Sequence, residues 1–253
     1  MSAELPWETM RASAQRGAGT APNQDHVALR VVAGAALVLC AADGHGSPDA
    51  RRGHLGARWA VEEAMRCVIP FARRVVRLED DPERWPELAE LADRLCDEIR
   101  RCLRERARMH EANGPRDAVV GAAPVAGNSS LLGALLSRRL LFCWQSGQGD
   151  IALIGEQGSR VPFEADAGPP RRMLLHWQPA DALGARRLVL LSTDGLALGL
   201  ADRSAYRAFA EGLYARMARR EAQGVRDGLD DRLRAMAELS GEDTSLVAAY
   251  VGP

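Results

Sequence analysis

Ala35-Ala36-Leu37-Val38-Leu39-Cys40-Ala41-Ala42 runs without a charged side chain into Asp43-Gly44-His45-Gly46-Ser47. An apolar run of this length, closed by glycines, predicts a buried strand that brings a carboxylate to the lip of a core. The glycines permit backbone conformations that a side chain forbids, so the Gly44 carbonyl can turn toward the same point as the Asp43 carboxylate. Hard divalent cations take such oxygen ligands, and His45 can hold or donate a proton beside them. By itself Asp-Gly-His-Gly is a turn signal, so its meaning rests on where the other carboxylates lie.

Upstream, His26 to Val32 and Ala35 to Ala42, separated by Ala33-Gly34, read as two strands of a hairpin. The hairpin brings Asp25, at the start of its first strand, to the same rim as Asp43 at the end of its second. Residues 1–20 read as a polar, loosely packed lead-in. Downstream, apolar residues recur at helical steps from Arg51 through Arg77, with Pro70 kinking or ending the helix. A second helix is capped near Asp81-Pro82, runs to Asn113-Gly114 and turns Arg100, Arg101, Arg104 and Glu105 to solvent.

Strands follow at Ser129 to Ser137, Leu140 to Trp144 and Asp150 to Gly155, then a loop or hairpin excursion from Glu156 to Ala185. Leu188-Val189-Leu190-Leu191 is a further buried strand, and it ends in Ser192-Thr193-Asp194-Gly195. Helices are predicted at Asp202 to Arg220 and Val225 to Leu239, broken at Ala222-Gln223-Gly224. A last strand, Ser245 to Val251, is introduced by Asp243.

The chain of 253 residues, 47% of them hydrophobic, is long enough to bury one large core and reads as a single domain over residues 1–253. A formal charge of −1 gives no electrostatic case for a nucleic-acid or membrane partner. All 33 basic residues are arginine, which excludes phosphate-loop lysines and Schiff bases. The five scattered cysteines read as reduced core residues of a cytoplasmic protein, and no segment has the length and apolarity of a membrane span.

Asp25, Asp43, Asp194 and Asp243 thus all stand at strand ends. Converging carboxylates repel unless cations neutralise them. Oxygen ligation without a His/Cys pair at metal-binding spacing points to magnesium or manganese rather than zinc, and a pair of such ions can activate water for attack on a phosphoryl group.

Asn23-Gln24-Asp25, Asp43-Gly44-His45-Gly46, Gly127-Asn128-Ser129-Ser130, Gly147-Gln148-Gly149-Asp150, Ser192-Thr193-Asp194-Gly195 and Glu242-Asp243-Thr244-Ser245 resemble, in order, the motifs of the metal-dependent serine/threonine protein phosphatases of type 2C, most nearly their compact bacterial stand-alone form. The resemblance implies an α-β-β-α sandwich, with two mostly antiparallel sheets face to face and a helix pair on each outer side. It implies two Mn2+ or Mg2+ ions held by Asp25, Asp43, the Gly44 carbonyl, Asp194 and Asp243, with Asp43 shared between them. It also implies His45 as the acid that protonates the leaving alkoxide, and as substrate a phosphorylated protein made by a serine/threonine kinase.

The chain departs from the family pattern in two places. Gln148 stands where relatives carry the aspartate of a third, weaker metal, with Asp150 displaced by two positions. Thr20 stands where relatives often carry a phosphate-gripping arginine, which leaves Arg16 and Arg11 as the arginines available from the lead-in. These departures keep open an alternative, a catalytically silent module that binds a phosphoprotein or signalling partner through the same cleft.

Overall fold

The computed structural model describes residues 7–16, 22–44, 50–113, 129–163 and 173–252. Ten strands, β1 (Trp7–Ala14), β2 (Asp25–Val32), β3 (Ala36–Asp43), β4 (Ser130–Ser137), β5 (Leu140–Ser146), β6 (Asp150–Gly155), β7 (Gly158–Arg160), β8 (Leu174–Pro179), β9 (Arg187–Ser192) and β10 (Thr244–Val251), form two antiparallel sheets. One has the order β1-β10-β9-β6-β7 and the other β2-β3-β4-β5-β8. Helices α1 (Ala50–Leu78) and α2 (Trp85–Asn113) cover the second sheet. The short α3 (Asp194–Leu198), with α4 (Arg203–Ala218) and α5 (Ala222–Ser240), covers the first. This is the expected α-β-β-α sandwich. Among the described residues no helix is long and apolar enough to cross a membrane.

The β2–β3 hairpin closes on Ala33 (φ 53°) and Gly34 (φ 67°), with the Ala35 N–H donating to the Val32 carbonyl at 3.2 Å. Two left-handed residues are what a type I′ turn requires. Ala33 lacks glycine's freedom and accepts a cost of about 1 kcal/mol there. With Ala35 as a third residue of the loop, Val32 pairs with Ala36, and this register places Asp25 directly opposite Asp43.

Strand parity then sorts the side chains. Leu37, Leu39 and Ala41 of β3 face the opposite sheet, where they meet Val189 and Leu191 of β9 and Val247 and Ala249 of β10. Ala36, Val38, Cys40 and Ala42 face α1 and α2. Side chains alternate along a strand, so Asp43 falls on the face between the sheets, and Asp25, Thr193 and Asp243 share that parity on their own strands. In β6 the inward residues are Ile151 and Leu153, which sends Asp150 to the outer face, against α4.

On the outer side of α1 and α2, Arg106 bridges Glu62 (2.8 Å) and Glu63 (2.9 Å) and lies over the Trp59 ring.

Several expectations are corrected. Trp7–Ala14, read as part of a loose lead-in, is an edge strand paired along its whole length with β10. Its buried residues, Met10, Ala12 and Ala14, which face α4 and α5, are mostly too small to make a strong apolar signal. Pro70 does not end α1, which continues to Leu78. The helix break expected at Ala222-Gln223-Gly224 lies instead before Ala222, where Arg220 adopts φ 64°. The excursion from Glu156 to Ala185 contributes β7 and β8, edge strands of the two sheets, because backbone groups at a sheet edge gain partners there. Residues 164–172, the middle of that excursion and of any flap, lie outside the described residues.

Candidate metal centre

Asp25 and Asp43 are both buried, at 5% and 7% exposure. Asp25 Oδ2 accepts from Thr193 Oγ1 at 2.7 Å. Its Oδ1 is buried and finds no hydrogen-bond partner among the described residues. Burial first, and the neighbouring Asp43 second, push the Asp25 carboxyl well above the usual carboxylate range. The hydrogen bond from Thr193 acts in the opposite sense, and Asp243 adds to the rise. A carboxylate left this way asks for a proton or a cation.

Asp243 closes the other side. Its Oδ1 accepts from the Arg16 N–H at 2.8 Å and its Oδ2 from the Gln24 N–H at 2.7 Å. The start of β10 is thereby tied to the ends of the segments flanking β1 and β2. Thr193 and Ser245 lock β9 to β10 through two further bonds, Thr193 N–H to the Ser245 carbonyl at 3.0 Å and Ser245 N–H to Thr193 Oγ1 at 2.9 Å. Asp194 follows at once as the first residue of α3. Gly195 packs so closely that a Cβ there would lie 2.1 Å from the Asp243 carbonyl oxygen, which seats the Asp194-Gly195 turn against Asp243.

Gly44 is equally constrained. Its N–H donates to the Gln24 carbonyl at 3.1 Å, and a Cβ on it would meet the Gly53 carbonyl oxygen at 2.0 Å. The first turns of α1 therefore rest on the loop that follows β3. Oriented to satisfy both of its ends, the Gln24 amide donates to the Gly44 carbonyl at 3.3 Å and accepts from the Arg16 guanidinium at 3.0 Å. That guanidinium also pairs with Glu242 at 2.9 Å.

Arg11 lies elsewhere. With Ser13, Asn23, Asp25, His26 and His54 it lines a cavity of about 340 Å3 beside the aspartates. The cavity wall is braced by the Asp25 N–H donating to Asn23 Oδ1, and by His54 Nδ1 donating to the Asn23 carbonyl, both at 2.7 Å.

The structure thus gathers Asp25, Asp43, Asp243 and the Asp194 turn, with Gly44 beside them. His45 and Thr20 lie outside the described residues. Gln148 is exposed, and its N–H donates to Ser130 Oγ at 3.1 Å. Asp150 lies on the outer face of β6, away from the aspartates. Burial raises its pKa and Arg203 on α4 moderates the rise, while the carboxylate in turn acts on the buried Tyr206 hydroxyl.

Thr193, Asn23, Gly53 and His54 were not singled out from the sequence as site residues. Thr193 and Asn23 lie within the motifs, while Gly53 and His54 carry no signal apart from helix periodicity.

The donor set is all oxygen, one buried carboxylate oxygen is unsatisfied, and glycines keep the approach open, so the residues present fit hard divalent cations. The oxygens stand wider than a closed ligand shell: the three ligand atoms mutually within 4.8 Å among the described residues belong to a group elsewhere in the chain.

No curated protein sequence matches the chain. Among solved structures, the S. agalactiae serine/threonine phosphatase is similar at 12% identity with a TM-score of 0.62, covering 98% of this chain and 100% of that one. The catalytic domain of the serine/threonine protein phosphatase PstP in complex with two manganese ions is similar at 16% identity and a TM-score of 0.58, covering 98% and 99%. RsbX in complex with magnesium is similar at 12% identity and a TM-score of 0.54, covering 97% and 95%. At these identities the likeness establishes the fold. The family profile described as Protein phosphatase 2C matches residues 14–234, a span that includes Asp25, Asp43, Gly44 and Asp194. With most of its length matched and its sheets, helices and strand-end aspartates arranged as described, the chain belongs to the protein phosphatase 2C family.

Proposed function

We propose that this chain hydrolyses phosphoserine or phosphothreonine on a protein substrate in a reaction that requires two Mn2+ or Mg2+ ions. The observation that carries the reading is the buried, unpartnered Oδ1 of Asp25 directly opposite Asp43, an arrangement of like charges that a cation relieves. Asp43 would be shared by both ions, with Asp25 and the Gly44 carbonyl on one side and Asp194 and Asp243 on the other. Gln148 leaves no carboxylate for a third. When bound, such ions supply an activated water and offset charge on the phosphoryl group.

The chain's own residues prepare the site. Thr193 orients Asp25 and favours its ionised form. The Gly44–Gly53 contact fixes the carbonyl-bearing turn. Arg11 lines the adjoining cavity, where its planar fork suits a phosphate. The Arg16 guanidinium is held by Glu242 and Gln24, so Arg11 is the better candidate of the two. His45 protonates the leaving alkoxide from its imidazolium. The substrate is the product of a serine/threonine kinase, and the chain acts in the cytoplasm as one phosphatase unit.

Engagement of both Asp243 oxygens by N–H groups favours a second reading, a silent module that binds a phosphoprotein in the same cleft. Phosphate release from a phosphothreonine peptide, measured with manganese, with magnesium and with chelator, separates the two. Metal-dependent release that disappears in Asp43→Asn is the expected result. Peptide binding without release in any metal overturns the phosphatase reading.

A further inference from the structure

Between α1 and α2, on the opposite side of the second sheet from the aspartates, a group of side chains is built for a different cation. Cys67 of α1 and Cys102 of α2 are buried, at 7% and 5% exposure, with their sulfurs 4.0 Å apart. Glu98, one helical turn before Cys102, reaches the same point from the solvent side. The two sulfurs and a carboxylate oxygen all lie within 4.8 Å of one another, a grouping that occurs nowhere else among the described residues. Arg66 donates to Cys102 Sγ at 3.0 Å. We propose that Cys67, Cys102 and Glu98 form a binding site for a zinc-class divalent cation that clips α1 to α2.

Distance, charge and access support this assignment. Two thiolates on one tetrahedral zinc, with Zn–S bonds of about 2.3 Å, stand about 3.8 Å apart, close to the 4.0 Å seen here. A disulfide needs about 2.05 Å, well short of that separation. Two thiolates and a carboxylate carry three negative charges, which a dication offsets with help from Arg66, itself shared with Glu63 at 2.7 Å, and from Arg101, which lies 3.7 Å from Cys102 Sγ and 3.9 Å from Glu98. Glu98 is exposed, so the ion has a way in, and a water can take the fourth position of a tetrahedral shell.

The sulfur-rich donor set selects zinc or cobalt over the magnesium and manganese that oxygen sites take. The site does not depend on phosphatase chemistry. Its link to the metal centre is mechanical, since the first turns of α1 carry Gly53 and His54 against the aspartate loop.

The test is a cobalt(II) titration of the full chain, reduced and stripped of metal. A thiolate-to-cobalt charge-transfer band in the near ultraviolet reports sulfur ligation alone, so occupancy of the aspartates does not interfere. We expect the band to saturate at one equivalent and to be bleached by zinc. It should be absent in Cys67→Ser and in Cys102→Ser, and need at least tenfold more cobalt in Glu98→Gln, an exposed change that leaves the helices folded. No band from folded wild-type protein overturns the proposal, as does a band that survives both cysteine substitutions or is unmoved by Glu98→Gln. Peroxide-driven loss of two hydrogens at Cys67 and Cys102, without cobalt binding, overturns it in favour of a redox pair.

Discussion

Replacing Asp25 by Asn should stabilise the metal-free protein while abolishing its metal-dependent activity. The carboxylate is buried, one oxygen has no hydrogen-bond partner among the described residues, and Asp43 stands directly opposite. An unsatisfied buried acceptor costs about 1–3 kcal/mol. Opposed antiparallel residues hold their Cβ atoms about 4.5–5.5 Å apart, a distance at which like charges repel by about 3 kcal/mol at an effective dielectric constant near 20. Proton uptake by Asp25 and the Thr193 bond relieve part of this strain, so the expected net gain is about 2 kcal/mol at neutral pH, or roughly 4–8 °C in Tm.

The sign with pH follows from linkage. A carboxyl whose folded pKa is raised carries no penalty below its unfolded pKa of about 3.9, and the penalty grows as pH rises through the folded value. The Tm difference between Asp25→Asn and wild type should therefore be near zero in acid and widen toward neutrality. The assay is thermal unfolding in chelator from pH 3.5 to 8, paired with manganese-dependent phosphate release. A metal-free Tm that falls on substitution, or a gap that does not change with pH, refutes the argument that Asp25 is a strained, cation-seeking carboxylate.

Thr193→Val removes the bond that favours ionised Asp25, so the Asp25 pKa rises further and manganese binding, followed by calorimetry, should require a higher pH than in wild type. Gly195→Ala puts a methyl about where the Asp243 carbonyl oxygen lies, 2.1 Å from it; an overpacking loss of about 1–3 kcal/mol in stability should come with weakened manganese affinity. Arg11→Ala should raise KM for a phosphopeptide by about tenfold while leaving kcat within a few fold, as the loss of one phosphate contact of about 1.4 kcal/mol implies; an unchanged KM removes Arg11 from the phosphate site. Asp150→Asn should leave metal-dependent turnover and its metal requirement unchanged, because Asp150 faces α4; a lost or altered metal dependence would place it in the centre after all.

Much of the fold was legible in local pattern. The apolar run into Asp43, the amphipathic periods of α1 and α2 and the turn at Ala33-Gly34 locate strands, helices and hairpin within a few residues, because each depends on near neighbours. β1 escaped notice because its buried residues are mostly alanine, and the edge strands β7 and β8 because their side chains are largely exposed or half-buried, so that pairing with a neighbouring strand stabilises them. The strand-end aspartates could be named one by one.

What the sequence by itself determined is therefore the inventory: apolar strands ending in carboxylates, glycines at the turns, no lysine, and an ordered set of motifs typical of one family. The tertiary structure decided which of these residues meet. β3 and β10 are buried on both faces, so their composition does not reveal which alternate side chains look between the sheets. Parity and register settle it, turning Asp25, Asp43 and Asp243 inward and Asp150 outward. Thr193 reaches Asp25 across 168 residues of chain, and Cys67 reaches Cys102 across 35. Contacts at that separation arise from sheet stacking and helix packing, which no local spacing encodes.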